Sequence, residues 1–413
     1  MTVQQNSNRP TNRFGFSEWS GAIGDLGTTL PLAFALVMIN GFPAARIFLL
    51  WGLVYLVTGW YYKVPVSVQP LKAMAVIAIT AGFSAQTLSS AAFFYGILFI
   101  ILSMTGLIGW LQQWFSKALV RGIQLGIGLM LARKALDLIM NNAVILGAEQ
   151  GGFWLVGLLT LGTGLLLFVG RFILKKPVAL LIIAVSVGLA LIFGTRPPVA
   201  ELGQAVAEFT LPLFGEFWNI LILLMIPQLP LTLGNAVYAA NDACHEFWPD
   251  QSKRVSPTKL GASIGLSDAL IGLLGGFPVC HGAGGIAAHA RFGGKTGGTT
   301  MIIGIVFILL ALIDNFSAFL FLIPVPILGT LLFFDSWAMV ALMKRLEQIP
   351  QYLVAALVGG LSFITHNLAL ALLAGLILER FLNIPVVRNG FSKMVGRTGA
   401  QIRAQKKEET LHD

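Results

Sequence analysis

The sequence predicts an all-α polytopic membrane protein of about 14 transmembrane spans, built as two inverted 7-span repeats. Three observations carry that prediction. The 413 residues are 56% hydrophobic and only 11% charged, against about 25% charged in an ordinary soluble domain. Charge is absent from whole stretches: no Asp, Glu, Lys or Arg occurs in 73–116, 150–170 or 217–241. Roughly 18 apolar residues suffice to cross a bilayer core. Proline- and glycine-rich breaks recur in matching order in the two halves. Disorder, a coiled coil and a nucleic-acid-binding module are excluded as the main theme. Two cysteines, Cys244 and Cys280, are too few for a disulfide scaffold.

Residues 1–19 are polar and read as a cytoplasmic N-terminal segment. They lead into a retained first helix rather than a cleaved signal, because Gly24-Asp25 interrupts the apolar run and many spans follow. The first repeat, 20–194, holds apolar segments at roughly 20–40, 44–62, 70–83, 91–113, 118–133, 153–170 and 177–194. An acidic extracytoplasmic linker, 195–217, carries Glu201, Glu208 and Glu216. The second repeat, 218–383, holds segments at about 218–241, 257–275, 280–290, 298–322, 326–343, 350–365 and 367–382. The last two are short, so one long tilted helix is an alternative there. A basic tail, 384–413, closes the chain.

Charge placement gives an independent check on the count. With the N-terminus in the cytoplasm, alternation through fourteen segments puts the basic clusters at 9–13, 63, 117–121, 171–176, 253–259, 291–295 and 344–345 inside, with the tail. Outside fall only Arg46, Arg133, Lys134 and Arg196. That bias is the positive-inside rule. Both termini are therefore expected in the cytoplasm, with the chain in the cell (inner) membrane. The net charge of +9 reports orientation and the tail, not a nucleic-acid partner.

The halves share landmarks. Leu30-Pro31-Leu32 has a counterpart in Leu229-Pro230-Leu231, and Pro65-Val66 in Pro278-Val279, at offsets of about 200 and 213 residues. Seven is odd, so the second half must run inverted. Inverted repeats with matching broken spans are a mark of secondary transporters.

Two segments carry the chemistry. Val64 to Gln69 is β-branched and proline-punctuated, which favours an extended strand, and Pro70 suits the first turn of a helix. An extended strand should thus feed a half-helix that starts inside the membrane. In Gly275–Gly285, five glycines in eleven residues again favour a strand followed by a short helix. If both half-helices start near the midplane, their dipoles and free N–H groups converge on one point and favour an anion. Tight helix packing is the alternative use of those glycines.

Lys72 opens the first half-helix. A lysine at the bilayer centre costs about 2.5–3.5 kcal/mol, so it has a partner or a purpose. It either pairs with Asp25 or stands as a fixed charge beside an oxyanion, and the two states can alternate. Asp25 and Thr28 lie in a glycine-rich, breakable stretch; the inverted counterpart offers Gln228, Thr232 and Asn235, neutral donors that suit an oxyanion. Asp25 and His281 are the candidates for proton coupling. A neutral, hydrogen-bonding role for His281 is equally open. No role is assigned to Asp268, Asp314 or Asp335. The two Cys-His pairs lie in different places, the first in a cytoplasmic loop, so no metal is expected; nor is a cofactor, an enzymatic activity or, without a Walker A motif, ATP-driven transport.

These segments resemble the molybdate-transporter family related to the SulP sulfate permeases. The resemblance rests on Gly24–Thr28, Pro65–Ala73, Gln228–Thr232 and Pro278–Gly285 running on to Arg291-Phe292-Gly293. It implies the uracil-permease-type fold, with a core domain carrying the site and a gate domain. It implies molybdate as substrate, with sulfate or tungstate as competitors. By position it implies that Gln69, Lys72, Cys280, His281, Gly282, Ala283, Gly284 and Gly285 line the anion site, with Asp25 and Thr232 nearby. Ser67 and Leu71 depart from the family's pattern without removing a polar ligand. Sulfate permeases proper carry a STAS domain after the last span; the roughly thirty residues here are too few for one.

The expected function is secondary active transport of a tetrahedral oxyanion, with the anion between two half-helix N-termini and a coupling proton. A sulfate carrier of the same fold and an anion channel on this scaffold are the alternatives. A nucleobase carrier would want a carboxylate in the eighth or tenth span, and neither offers one. The lipid bilayer is an expected partner, and a homodimer is compatible with the sequence.

Overall fold

A computed structural model describes residues 11–141, 144, 152–174, 176–192, 208–313 and 319–385. The tail from 386 onward, most of the 195–217 linker, Lys175, Asp314 and the side chain of Thr28 lie outside the described residues.

The fold is helical apart from two short strands. In chain order the elements are α1 (Phe16–Asn40), α2 (Ala44–Tyr62), β1 (Gln69–Pro70), α3 (Lys72–Ala81), α4 (Ala85–Thr105), a short α5 (Leu107–Gln112), α6 (Lys117–Met140), α7 (Phe153–Phe168) and α8 (Ala179–Ile192). The second half runs α9 (Phe214–Phe247), α10 (Pro257–Leu273), β2 (Val279–Cys280), α11 (Ala283–Arg291), α12 (Gly298–Ala311), α13 (Val325–Val340), α14 (Ile349–Thr365) and α15 (Leu368–Leu382).

Each apolar segment read from the sequence carries a helix, but not all are full crossings. Among the described residues, five helices are long and apolar enough to span a membrane alone, or six with α1 counted as one bent span. α3 and α11 are short, 10 and 9 residues, and each follows one of the two strands. α1 bends by 47° between Phe16–Gly27 and Thr29–Asn40; Pro31 removes an intrahelical hydrogen bond and crowds the carbonyl of Gly27 four residues back.

Several boundaries differ from expectation. The fourth segment starts at Ala85 and ends at Thr105, where Gly106 turns left-handed (φ 72°) before α5. α6 continues to Met140, carrying Arg133 and Lys134 on the helix itself. α9 runs on to Phe247, so Cys244 and His245 occupy its last turns rather than a loop. Helix cooperativity extends an apolar helix into polar flanks that a hydropathy window cuts off.

Two helix pairs make the most extensive contacts among the described residues. α4 lies along α10, and α2 lies along α12. Both pairs use glycine for backbone-to-backbone approach, the usual device where lipid offers no hydrophobic drive between helices. A Cβ on Gly265 would stand 2.7 Å from the Ile100 nitrogen, and one on Gly304 would stand 2.6 Å from the Gly52 carbonyl oxygen. Elsewhere α6 packs on α13 and α14. The strands join the halves: β1 and β2 pair antiparallel, Gln69 opposite Cys280 and Pro70 opposite Val279.

Candidate functional site

The paired strands deliver two helix starts to one place. Leu71 N–H donates to the Pro278 carbonyl (3.2 Å), which carries the strand pairing up to the first residue of α3. Ser67 Oγ donates to the Gly282 carbonyl (2.7 Å), and Val279 N–H donates to Asp268 Oδ1 (2.7 Å). Trp51 Nε1 donates to the Phe277 carbonyl (2.8 Å). Backbone that is neither helix nor sheet is thus satisfied by side chains, as it must be in a membrane interior.

A cavity of about 310 Å³ opens at this junction. One wall is formed by Gln69, Lys72, Gln228, Asn235, Cys280 and Gly284. Further lining comes from α6, the end of α13 and the 3-10 turn after it (Ala341–Arg345), with Arg121, Gln124 and Arg345 as the polar members. Among the described residues, three cations and no carboxylate line it.

Lys72 is the most telling of these. It sits in the first turn of α3, where the helix dipole repels a cation. Among the described residues no carboxylate lies within ion-pair distance of its ammonium. The expected Asp25–Lys72 pair is not formed. Asp25 instead accepts from Gln69 Nε2 and, at 3.3 Å, from the Tyr55 hydroxyl. Its Oδ2 lies 3.7 Å from His289 Nε2. Asp25 is buried behind Gln69 and does not line the cavity.

The remaining expected residues divide into two groups. Gln228 lines the cavity and braces α3: its Oε1 accepts the Met74 N–H (3.1 Å) and its Nε2 donates to Thr232 (3.0 Å). Thr232 also accepts from the Tyr95 hydroxyl (2.7 Å) and is fully buried away from the cavity. Ala283 and Gly284 line it at the start of α11, whose first turn has no side-chain cap. A Cβ on Gly284 would meet open space, whereas one on Gly285 would stand 2.6 Å from Ser67 Cβ. One on Gly282 would collide with Gln69 Oε1. Gly282 and Gly285 therefore serve close packing, and Gly284 serves room.

His281 also stands back from the cavity. Its Nδ1 is 2.9 Å from the Ser67 carbonyl, its Nε2 is 2.7 Å from Ser263 Oγ, and the Tyr62 ring packs edge-on. Both ring nitrogens are spoken for by neutral partners. Thr28, a further expected member, has no described side chain.

Sequence reasoning missed His289, Arg121, Gln124 and Arg345. His289 is fully buried, with Nδ1 held by the Gly21 carbonyl (2.9 Å). Arg121 was counted only as a cytoplasmic charge. Its Nη1 donates to Gln124 Oε1 (2.6 Å), and the i,i+3 spacing that puts both on one helix face was legible.

Comparison with known proteins identifies the family and the fold. The chain matches the family described as "Molybdate transporter of MFS superfamily" over residues 17–131 and 220–339, more than half its length. It is 26% identical to Molybdate transporter 2 of Arabidopsis thaliana over 89% of this chain and 87% of that one. It is 28% identical to Molybdate transporter 1 of the same plant over 78% of each. The fold is similar to the transmembrane domain of a cyanobacterium bicarbonate transporter, BicA, with a TM-score of 0.64 at 16% identity, covering 89% of this chain and 99% of that domain. A multi-pass helical membrane protein whose fold is similar to that of an anion transporter, with a cationic cavity where two short helices start, this chain belongs to the molybdate transporter family.

Proposed function

We propose that this protein is a secondary active transporter that carries molybdate across the cell (inner) membrane by alternating access. The observation that carries the reading is Lys72: a cation against a helix N-terminus, in a cavity with Arg121 and Arg345 and no carboxylate. Such a charge is unfavourable unless an anion completes it. The dianion would sit between Lys72 and the open N–H groups at Ala283 and Gly284. Preformed backbone donors suit an oxyanion, which accepts on every oxygen.

The packing supports an inverted repeat of the two halves, 20–194 and 218–383. Exchange of equivalent segments turns the α4–α10 pair into the α12–α2 pair, and these are the two most extensive helix contacts among the described residues. On this reading α1–α4 and α9–α12 form the core, and α6–α8 with α13–α15 form the gate. The cavity lies between them, bounded by Arg121 and Arg345 on the side that the charge bias assigns to the cytoplasm.

Bringing a dianion into a cell with a negative interior costs about 2.3 kcal/mol per charge per 100 mV. Entry of protons with it offsets that cost, and the buried Asp25, next to His289 and one hydrogen bond from the cavity through Gln69, is the core's proton carrier. Competition binding of molybdate, tungstate and sulfate to the purified protein tests the substrate. Tight molybdate binding that sulfate displaces only in large excess supports the reading; equal competition moves it to sulfate. Uptake indifferent to a pH jump and to D25N would remove the proton.

A further inference from the structure

A second cavity, of about 210 Å³, shares no lining residue with the oxyanion cavity. It lies between Gly24 and Gly27 of α1, the end of α11, α13 and the α7–α8 connection. Four charged residues line it: Arg171 after α7, Lys176 before α8, Arg291 at the end of α11 and Asp335 on α13. Among the described residues none of the four forms an ion pair. Asp335 Oδ2 is shielded from solvent and has no hydrogen-bond partner. The two guanidinium groups stand 5.9 Å from the centres of the rings that follow them, Phe172 and Phe292, which leaves their N–H donors available.

Charges of both signs thus line one cavity without touching. A buried carboxylate oxygen without a donor is costly, and three cations around one space repel each other. A ligand with an anionic and a cationic end relieves both. A phosphate accepts from several guanidinium and ammonium donors, and a primary ammonium brings three donors to a carboxylate. Phosphoethanolamine carries the two on a short carbon link. The surface beside the cations is apolar and exposed, at Phe168, Phe172, Ile173 and Leu174; a soluble ligand leaves it bare, whereas acyl chains cover it. Basic pockets between membrane helices on the cytoplasmic side hold lipid headgroups, and the charge bias of the sequence puts these cations on that side. We propose that this cavity binds the headgroup of phosphatidylethanolamine, phosphate against Arg171, Lys176 and Arg291, ammonium on Asp335. Binding needs only the cavity. Its consequence rests on the alternating-access reading: a headgroup held by α1 and α11 on one side and α7, α8 and α13 on the other ties core to gate.

Native mass spectrometry of the purified protein, released from mixed micelles, tests the site. Phosphatidylethanolamine, its N,N-dimethyl form and phosphatidylcholine, with the same acyl chains, are offered in equal amounts. The natural protein should retain phosphatidylethanolamine about tenfold over phosphatidylcholine, with the dimethyl lipid between them, because each methyl removes a donor to Asp335. Equal retention across the series overturns the proposal without any variant. D335N should erase the preference, and a preference kept there overturns the Asp335 contact. R291Q should lower retention of all three lipids about fivefold; unchanged retention overturns the phosphate placement. Free phosphoethanolamine that displaces the lipid at equal concentration overturns the lipid in favour of a soluble ligand. Selective retention by a protein that moves no molybdate supports the site and overturns the transport reading alone.

Discussion

Half-helices α3 and α11 both start from the paired strands, yet they offer the cavity different chemistry. α3 brings a charge. Its first residue is Lys72, its third N–H is already taken by Gln228, and most of its length is buried in apolar packing. α11 brings space and backbone. Its first turn is Ala283-Gly284-Gly285, uncapped, with open room over Gly284. A second cation at α11 would repel Lys72, and a second bare glycine turn at α3 would leave no charge to attract an anion. The difference teaches that a repeated backbone geometry can be kept while its two copies divide the work.

Substitutions at the two starts should break this division in a graded way. The largest effect is expected from K72A, which removes the buried charge. Molybdate affinity should fall about 100-fold, or roughly 3 kcal/mol, by titration calorimetry on folded protein. Retained affinity would mean that α11 alone carries the site. G285A comes next and acts on the fold. The added methyl meets Ser67 Cβ at 2.6 Å and Asp25 Oδ1 at 2.7 Å, an overpacking worth about 1–3 kcal/mol, seen as a lower melting temperature. H281A should cost a similar or slightly smaller amount, about 1–2 kcal/mol, by leaving the Ser67 carbonyl without its ring partner and taking one of three partners from Ser263. Its folded fraction should bind molybdate within about threefold of the natural protein; a large loss would bring His281 back into the site. G284A is the mildest. Its methyl enters open space, so melting should not change, while affinity weakens about threefold as the cavity narrows.

How much of this was legible depends on how local each feature is. The strand-to-helix breaks were readable because proline, β-branched residues and glycine act on their own backbone. Gln69, Lys72, Cys280 and Gly284 were reachable for the same reason, since each sits on a break. Gln228 and Asn235 came from matching one half to the other. His281 and Thr232 lie on the same segments but turn into packing, a choice made by Ser67, Ser263 and Tyr95, which come from distant parts of the chain. Arg121 and Arg345 were visible only as topology markers, because nothing local says that a helix end will close over a cavity.

By itself, then, the sequence determined a helical membrane protein, its broken segments and a lysine set where an anion is wanted. Hydropathy and backbone propensity are sums over neighbouring residues, and neighbours are what a sequence displays. Only the tertiary structure decided that Asp25 faces Gln69, Tyr55 and His289 rather than Lys72, and that Arg121 of α6 and Arg345 just after α13 complete the cavity. Those choices are contacts between residues up to about 260 positions apart, and packing alone sets which side chains meet across such distances.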